Sequence, residues 1–312
     1  MSTHKDVIII GGGSAGLAAA QYSARSNLKV LVIEEMASGG QALLIDNLEN
    51  YPGFPDGING FEFSENMEKQ AKKFGAEFMN GSVKSLEKDG DIFTVETTKG
   101  LFTSSTVIVA TGAKHRHLEI AGEKELSGRG VSYCATCDGP FFRNKKMLVV
   151  GGGDAACDES TYLSNLTDSI VHIHRKDRFR AQKSVAERVL KNPIIDVRFN
   201  HTLEEIIGDG KVSRVLLKRV DTGETYEEEI DAVFVFIGSI PQTTIVPDIK
   251  KDEGGYIITD QNMETEIPGL FAAGDVRSTP FRQIVVSAAE GAIAAHIASK
   301  LIDNLRGQAY GI

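Results

Sequence analysis

The chain has 312 residues, enough for about two domains, and its 41% hydrophobic and 25% charged residues describe a globular composition. A formal charge of -9 argues against a nucleic-acid or anionic-membrane surface, since phosphate recognition needs a basic face; small molecules or proteins are the expected partners. No run approaches ~18 apolar residues, the opening MSTHKD passes straight into VIII without signal-peptide character, and three cysteines do not make a secreted disulfide framework, so a cytoplasmic protein is expected.

The first predicted unit is DVIIIGGGSAGLAAAQYSARSNLKVLVIEE (6–35): an apolar β-branched strand, three glycines, a small-residue helix and a second apolar strand. Gly11, Gly13 and Gly16 make GxGxxG, with Ser14 and Ala15 inside it. In such a turn the first glycine permits the bend, the second lets backbone approach a pyrophosphate, and the third lets helix pack on strand. Glu34 lies 23 residues after Gly11, near the ~20 expected of an acid that bonds ribose hydroxyls. STVIVATGAKHRHLEI (105–120) then reads as a strand ending at Ala110-Thr111-Gly112.

YCATCDGPFF (133–142) places Cys134 and Cys137 two residues apart, a spacing used for metal ligation or redox catalysis in a reducing compartment. Directly after it, KMLVVGGGDAACDESTYLSNLTDSIVHIHRKD (146–177) repeats the first grammar 140 residues on, as GxGxxA at Gly151, Gly153 and Ala156 with Asp154 and Ala155 between. Here the position matching Glu34 is His174, and Arg175, Lys176 and Arg180 follow. A carboxylate would repel a ribose 2′-phosphate and a basic cluster attracts it, so this unit is expected to take NADP(H), leaving the first for a dinucleotide with a free ribose, FAD. The alternative is a solvated basic patch at a helix start.

DAVFVFIGSIP (231–241) closes the second unit, with Ile237 and Gly238 at its end. GLFAAGDV (269–276) and FRQIVVSAAEGAIAAHIASKLI (281–302) form a strand and a helix without a dinucleotide turn of their own. The simplest arrangement lets this tail complete the first unit, with the second inserted and the chain crossing near 114–119 and 239–246. The fold class is thus α/β, two Rossmann-like dinucleotide-binding domains with an NADPH domain (116–242) inserted into a discontinuous FAD domain (1–115 and 243–312).

GGGSAG, GGQ (39–41), ENYPGF (49–54), ATG (110–112), CATCDG (134–139), GGGDAA (151–156), HRKDRFR (174–180) and GDVRSTPFRQIVVSAAEG (274–291), in this order, resemble the low-molecular-weight bacterial-type thioredoxin reductases over nearly the whole chain. The resemblance implies electron flow from NADPH through FAD and a Cys134/Cys137 redox disulfide to thioredoxin, in a homodimer. It makes Cys137 the thiol nearer the flavin, Cys134 the interchange thiol and Asp138 the general acid; an ordinary turn residue before Gly139 is the other reading of Asp138. Zinc would want four ligands, and no metal is expected: the remaining Cys157 lies inside the second turn's helix and reads as a small buried residue. A staple across two residues would constrain almost nothing.

The FAD contacts so implied fall on the first turn, Glu34, Glu35, Gly40, Gln41, Asn50 and Val83, then on Thr111 and Gly112, and in the tail on Gly274, Asp275, Arg282, Gln283 and Ile284. Those for NADPH fall on the second turn, the His174 to Arg180 run, Ile237 and Gly238. The family's large rotation of the inserted domain would hinge at the two crossings. Phe141 and Phe142 read as either partner-docking or core residues. Two features depart from the family: ALLIDNLEN (42–50) is apolar where hydroxyl residues are usual, and Lys176 stands where a second arginine is usual, keeping charge without the bidentate fork. Competing functions are a flavoprotein serving a peroxiredoxin, a reductase fed by ferredoxin, an oxygen-reducing NADPH oxidase, and a non-catalytic redox-sensing module. The first usually carries an extra N-terminal domain, the second typically lacks the basic cluster, and the last two do not need the CxxC pair.

Overall fold

The computed structural model describes residues 4–45, 47–48, 50–246 and 248–307. The chain divides into two compact units, 1–114 with 240–312, and 115–239. The divisions fall one and three residues before the expected 115/116 and 242/243.

In the discontinuous unit the first part supplies β1 (His4–Ile10), α1 (Ser14–Arg25), β2 (Val30–Glu34), α2 (Gly60–Lys73), β3 (Glu77–Asn80), β4 (Val83–Asp89), β5 (Ile92–Thr97), β6 (Gly100–Val109) and β7 (Ala113–His115). β3, β2, β1 and β6 are parallel neighbours, and β5 and β4 extend the sheet antiparallel. β1 reads as an unbroken apolar run because both of its faces are covered. Val7 and Ile9 pack with Ala19 and Ala20 of α1, whereas Ile8 and Ile10 pack with Leu31, Ile33 and Val95.

The inserted unit contains β8 (Val131–Ser132), α3 (Ala135–Asp138), β9 (Met147–Gly151), α4 (Asp154–Leu163), β10 (Ile170–His174), α5 (Lys183–Leu190) and β11 (Ile195–Phe199), then β12 (His201–Ile207), β13 (Arg214–Arg219), β14 (Thr225–Glu229) and β15 (Ala232–Phe236). Its parallel sheet runs β11-β10-β9-β15-β8, and β12, β13 and β14 form an antiparallel meander. Leu148, Val150, Val171 and Ile173 meet the meander through Leu203, Ile206 and Leu217. The opposite face, with Met147, Val149 and Phe234, meets Cys157 and Leu163 of α4 and Val189 of α5. Cys157 is thus the small core residue expected of it.

The chain then passes through β16 (Ser239–Pro241), which pairs with β7, and returns to the first sheet as β17 (Leu270–Ala272) and α6 (Ile284–Leu305). β17 pairs in parallel with the end of β6, so the tail does complete the first sheet. α6 is, among the described residues, the one helix long and apolar enough by length and composition to cross a membrane, 22 residues with an 18-residue window of mean hydropathy 1.3, although Glu290, His296 and Lys300 interrupt its apolar run. Part of its apolar surface is used in the core, where Ala294, Ala295, Ala298 and Ile302 pack. A Cβ on its Gly291 would lie 2.0 Å from Ala15 O, so α6 and α1 touch backbone to backbone.

Candidate functional site

The first glycine turn is built by sterics. Gly11 has φ +106, a value that favours glycine, and a Cβ there would meet Ala110 O at 2.3 Å. A Cβ on Gly16 would lie 1.9 Å from Gly11 O, so only glycine lets α1 start this close to β1. A Cβ on Gly13, in contrast, would meet nothing within 4 Å, leaving open backbone at the first turn of α1. Glu34 ends β2 beside this turn: its Oε2 accepts from Gly12 N at 2.6 Å and its Oε1 from Met36 N at 3.0 Å. A carboxylate offers about four acceptor positions, so ribose hydroxyls still find partners there.

Three remote segments converge on the same turn. A Cβ on Gly40 would lie 3.3 Å from Gly13 Cα, one on Gly274 would lie 2.9 Å from Ala15 Cβ, and Gly112, with φ +67, has open space before it. Asn50 Nδ2 donates to Gln283 Oε1 at 3.1 Å across 233 residues of sequence. Gln41 Nε2 donates to Ala113 O at 3.3 Å, and Thr111 Oγ1 to Gln242 O at 2.6 Å. Gln283 caps α6, so the N–H groups of Ile284 and its neighbours lack intrahelical acceptors and suit an electron-rich edge. Burial pushes the Asp275 carboxyl above the usual range, against the pull of Arg282 and of the Ser287 hydroxyl. Arg282 itself lies over the Tyr256 ring, 4.0 Å from its centroid. Glu35 is engaged with Ser82 Oγ at 2.9 Å, and Val83 opens β4 against the core. Ser14 and Ala15 are buried. These open backbones, flanking acids and helix start fit a dinucleotide.

Sequence reasoning missed what holds the tail. Glu290, buried within α6, accepts from Gly274 N at 2.8 Å, from Thr279 Oγ1 at 3.0 Å and from the Arg277 guanidinium. An acid among small and apolar residues in the first half of α6 was the available signal.

The second turn also enters its helix through an extended glycine, Gly153, but its first glycine has no positive φ and its contacts differ. A Cβ on Gly151 would meet Phe236 O at 2.5 Å, and one on Gly152 would lie 2.2 Å from the His174 ring. Gly153 faces the Arg180 guanidinium, 3.6 Å from its would-be Cβ. Arg180 N donates to Gly152 O at 2.8 Å, and Gln182 N to Asp154 Oδ1 at 2.7 Å, which ties the basic run to the turn. Arg175, Lys176 and Arg180 are exposed, and none makes an ion pair among the described residues. His174 is buried, its Nε2 without a partner; burial first, then Arg180, Arg175 and Lys176, hold its pKa below the ordinary value. Uncompensated cations around a strand end fit an anionic ligand. Ala155 is exposed, Ala156 fully buried, and Gly238, at φ +107, follows Ile237 past the end of β15.

Cys134 and Cys137 are joined as a disulfide, with Cα atoms 5.3 Å apart. Cys134 caps α3, its Sγ accepting from Cys137 N at 3.2 Å. The loop is seated by small residues: Ala135 is fully buried, and a Cβ on Gly139 would meet Leu163 Cδ2 at 2.8 Å. Ser132, which sequence reasoning did not single out, joins Asp138 and Cys134 in a compact polar group: its Oγ donates to Asp138 Oδ2 at 2.6 Å. Tyr133 OH donates to Glu123 Oε1 at 2.9 Å; burial, then Glu123, raises its pKa. The two readings of Phe141 and Phe142 divide: Phe141 is exposed, and Phe142 packs edge-on against Phe234. Among the described residues no group of three or more His, Cys, Asp or Glu is placed to hold a metal ion.

A family model described as pyridine nucleotide-disulphide oxidoreductase matches residues 5–291. The thioredoxin reductase of Treponema pallidum is 58% identical over 98% of this chain and 100% of its own length, and that of Listeria innocua is 45% identical over 96% and 95%. Among solved structures, the thioredoxin reductase of Streptococcus pyogenes matches with a TM-score of 0.91 and 43% identity, covering 97% of this chain and all of the other.

Proposed function

The chain belongs to the pyridine nucleotide-disulphide oxidoreductase family, and on that premise we propose that it reduces thioredoxin with electrons from NADPH, through FAD and the Cys134–Cys137 disulfide. The observation that carries the reading is the disulfide itself, its loop packed on the helix that follows the second glycine turn, with three cations after the neighbouring strand that have no ion-pair partner among the described residues. A flavin held at the first turn would supply the two-electron chemistry that links a nicotinamide hydride donor to the Cys134–Cys137 disulfide.

The first turn, Glu34, Gly112, Asn50 and the Gly274–Ile284 tail would hold FAD, and the second turn with Arg175, Lys176 and Arg180 would hold NADPH by its 2′-phosphate. Cys137 receives the electrons, and Cys134 attacks the partner's disulfide as the interchange thiol. Asp138 serves as the acid of that exchange. The two units turn about the crossing strands β7 and β16 between the half-reactions. The basic run disfavours a ferredoxin-fed reductase, which has no 2′-phosphate to bind. A homodimer in the cytoplasm completes the proposal.

The test is an anaerobic titration of the purified flavoprotein with NADPH and, separately, NADH, followed by addition of oxidised thioredoxin. Bleaching of the flavin by NADPH far ahead of NADH, with recovery on thioredoxin, is the expected result. No bleaching by NADPH overturns the donor, and no recovery overturns the acceptor.

A further inference from the structure

We infer that Ser132 is the positioning residue of the thiol exchange: its hydroxyl swivels between Asp138 and the Cys134 carbonyl, and so keeps Asp138 in place in both of its protonation states. The inference rests on the proposed function, in which Asp138 is the acid.

The geometry is specific. Ser132 is the last residue of β8 and is only 3% exposed, so its hydroxyl must be satisfied by protein. Asp138 Oδ2 lies 2.6 Å from its Oγ, Cys134 O lies 3.2 Å away, and Cys134 N donates to it at 3.1 Å. A hydroxyl has one proton and two lone pairs. It therefore donates to only one of the two acceptors at a time. With Asp138 ionised, the proton goes to the carboxylate and Cys134 N fills one lone pair. With Asp138 protonated, the acid donates to Oγ, Cys134 N fills the other lone pair, and the hydroxyl proton turns to Cys134 O. Neither state leaves the buried hydroxyl unsatisfied. Asp138 N also donates to Cys134 O at 3.1 Å, so the carbonyl that receives the swivelled proton is already fixed to the residue that titrates.

The exchange requires both states in each turnover. Asp138 takes the proton of the Cys134 thiol, and the Cys134 thiolate attacks one sulfur of the partner's disulfide. That S–S bond breaks, its electron pair leaves on the second partner sulfur, and the leaving thiolate takes the proton from Asp138. Cys137 then attacks Cys134 Sγ, re-forming the enzyme disulfide and releasing the partner's other sulfur, which takes the Cys137 proton through solvent. Two electrons and two protons pass from the enzyme dithiol to the partner.

The other titratable groups near this loop keep their places in the variants used to test it. Tyr133 is bonded to Glu123 and His117, and α4, packed on α3, carries Cys157 and Glu159, whose pKa values burial pushes to about 12 and about 7. A difference between two substitutions at residue 132 alone cannot arise from them.

The test compares Ser132→Thr, which keeps the hydroxyl, with Ser132→Val, which has the same shape without it, alongside Ser132→Ala and Asp138→Asn. Each holoenzyme is assayed for thioredoxin reduction from about pH 5 to about pH 9, with flavin reduction by NADPH measured separately by stopped flow. Ser132→Val and Ser132→Ala are expected to lower thioredoxin turnover about tenfold, against about a hundredfold for Asp138→Asn. Ser132→Thr should stay within about twofold of the parent. Without the hydroxyl both states lose a bond, but the one to the ionised carboxylate is charge-assisted and the stronger, so the acidic limb of the profile moves up by about one pH unit in Val and Ala and stays put in Thr. Flavin reduction should not change. Equal losses in Thr and Val would mean that Ser132 only packs, and an unshifted limb in Val would mean that the hydroxyl does not hold Asp138; either overturns the inference with the acid reading intact. An unimpaired Asp138→Asn would remove the acid reading itself, a result that the Ser132 variants do not produce.

Discussion

The two glycine turns, at 11–16 and 151–156, enter their helices alike through an extended glycine, Gly13 or Gly153, differ at the first glycine, where only Gly11 has a positive φ, and surround the backbone with opposite charge. At the end of β2, Glu34 turns its carboxylate onto Gly12 N. At the matching end of β10 an imidazole fills the space under Gly152, and the turn is tied instead by Arg180 N to Gly152 O. A carboxylate can accept an N–H and still meet hydroxyls; an imidazole ringed by three cations cannot do that and leaves a positive field. Under the proposed assignment, such a turn would hold a pyrophosphate, and the residue that ends the next strand, Glu34 or His174, would decide which sugar it accepts. The helices differ too: α1 approaches its strand closely enough to demand Gly16, whereas Ala156 is accommodated, and the close contact falls on Gly151, whose Cβ would lie 2.6 Å from that of Ala156.

The largest expected effect breaks that last difference. Gly16→Ala drives a methyl into Gly11 O and should cost about 4 kcal/mol and the bound flavin. Ala156→Gly, the reciprocal change, should cost about 1 kcal/mol. Thermal melts and flavin content of the two proteins decide it, and equal losses would mean that the closer approach of α1 has no energetic consequence.

Next comes a buried position, His172, which matches Val32 of the first unit; both are fully buried. Burial lowers the His172 pKa from 6.5 to about 4, only partly opposed by its contact with Gly151 O. Between those values the unfolded chain binds the proton and the folded one does not, so stability rises with pH. It is complete above about 6.5 and falls by up to about 3 kcal/mol as pH drops to about 4. In His172→Val this part of the acid limb should disappear, read as the difference between two melting-temperature profiles.

The cation cluster gives the next effect. Replacing Arg175, Lys176 and Arg180 by Ala should lower kcat/KM for NADPH about a hundredfold, or ~2.7 kcal/mol, with NADH little changed. His174→Glu, which imports the acid of the first turn, should shift preference in the same direction. Lys176→Arg should sharpen it the other way, by a few-fold, through the bidentate fork. Steady-state kinetics with both nucleotides would show whether the cluster selects the 2′-phosphate or is merely a solvated patch.

The smallest effect is expected at Cys157, which matches the buried Leu17. Its thiol is fully buried and pushed up to about 12 by burial, so it carries no thiolate. Cys157→Ala should cost about 1 kcal/mol of stability and leave turnover unchanged. A fall in thioredoxin reduction would place a third sulfur in the chemistry.

Much of the fold was legible because its signals are local. The runs VIII, VLVIE and MLVVG are strands whose two faces are both covered, and each glycine turn sits between a strand and its own helix. Strands β4 and β5 and the meander β12–β14 were not read, since short strands of mixed polarity acquire their pattern only from the faces they cover. Of the candidate site, the CxxC pair and the basic run were visible from residue type and spacing. Arg282 was read as a ligand contact, and nothing near it in sequence announced the Tyr256 ring beneath it.

The sequence by itself determined that there are two dinucleotide turns, which of them carries the acid and which the cations, and that a close cysteine pair precedes the second. Each rests on constraints that act within about thirty residues, where sterics and hydrogen bonding leave a readable spacing. Only the tertiary structure decided that Asn50 would meet Gln283, that β17 would join β6, and that Glu290 would tie down Gly274, Arg277 and Thr279. It also decided that the Ser132 hydroxyl would reach Asp138, six residues on. Such meetings are set by how whole elements pack, and a partner chosen by packing leaves no period and no motif in the chain that supplies it.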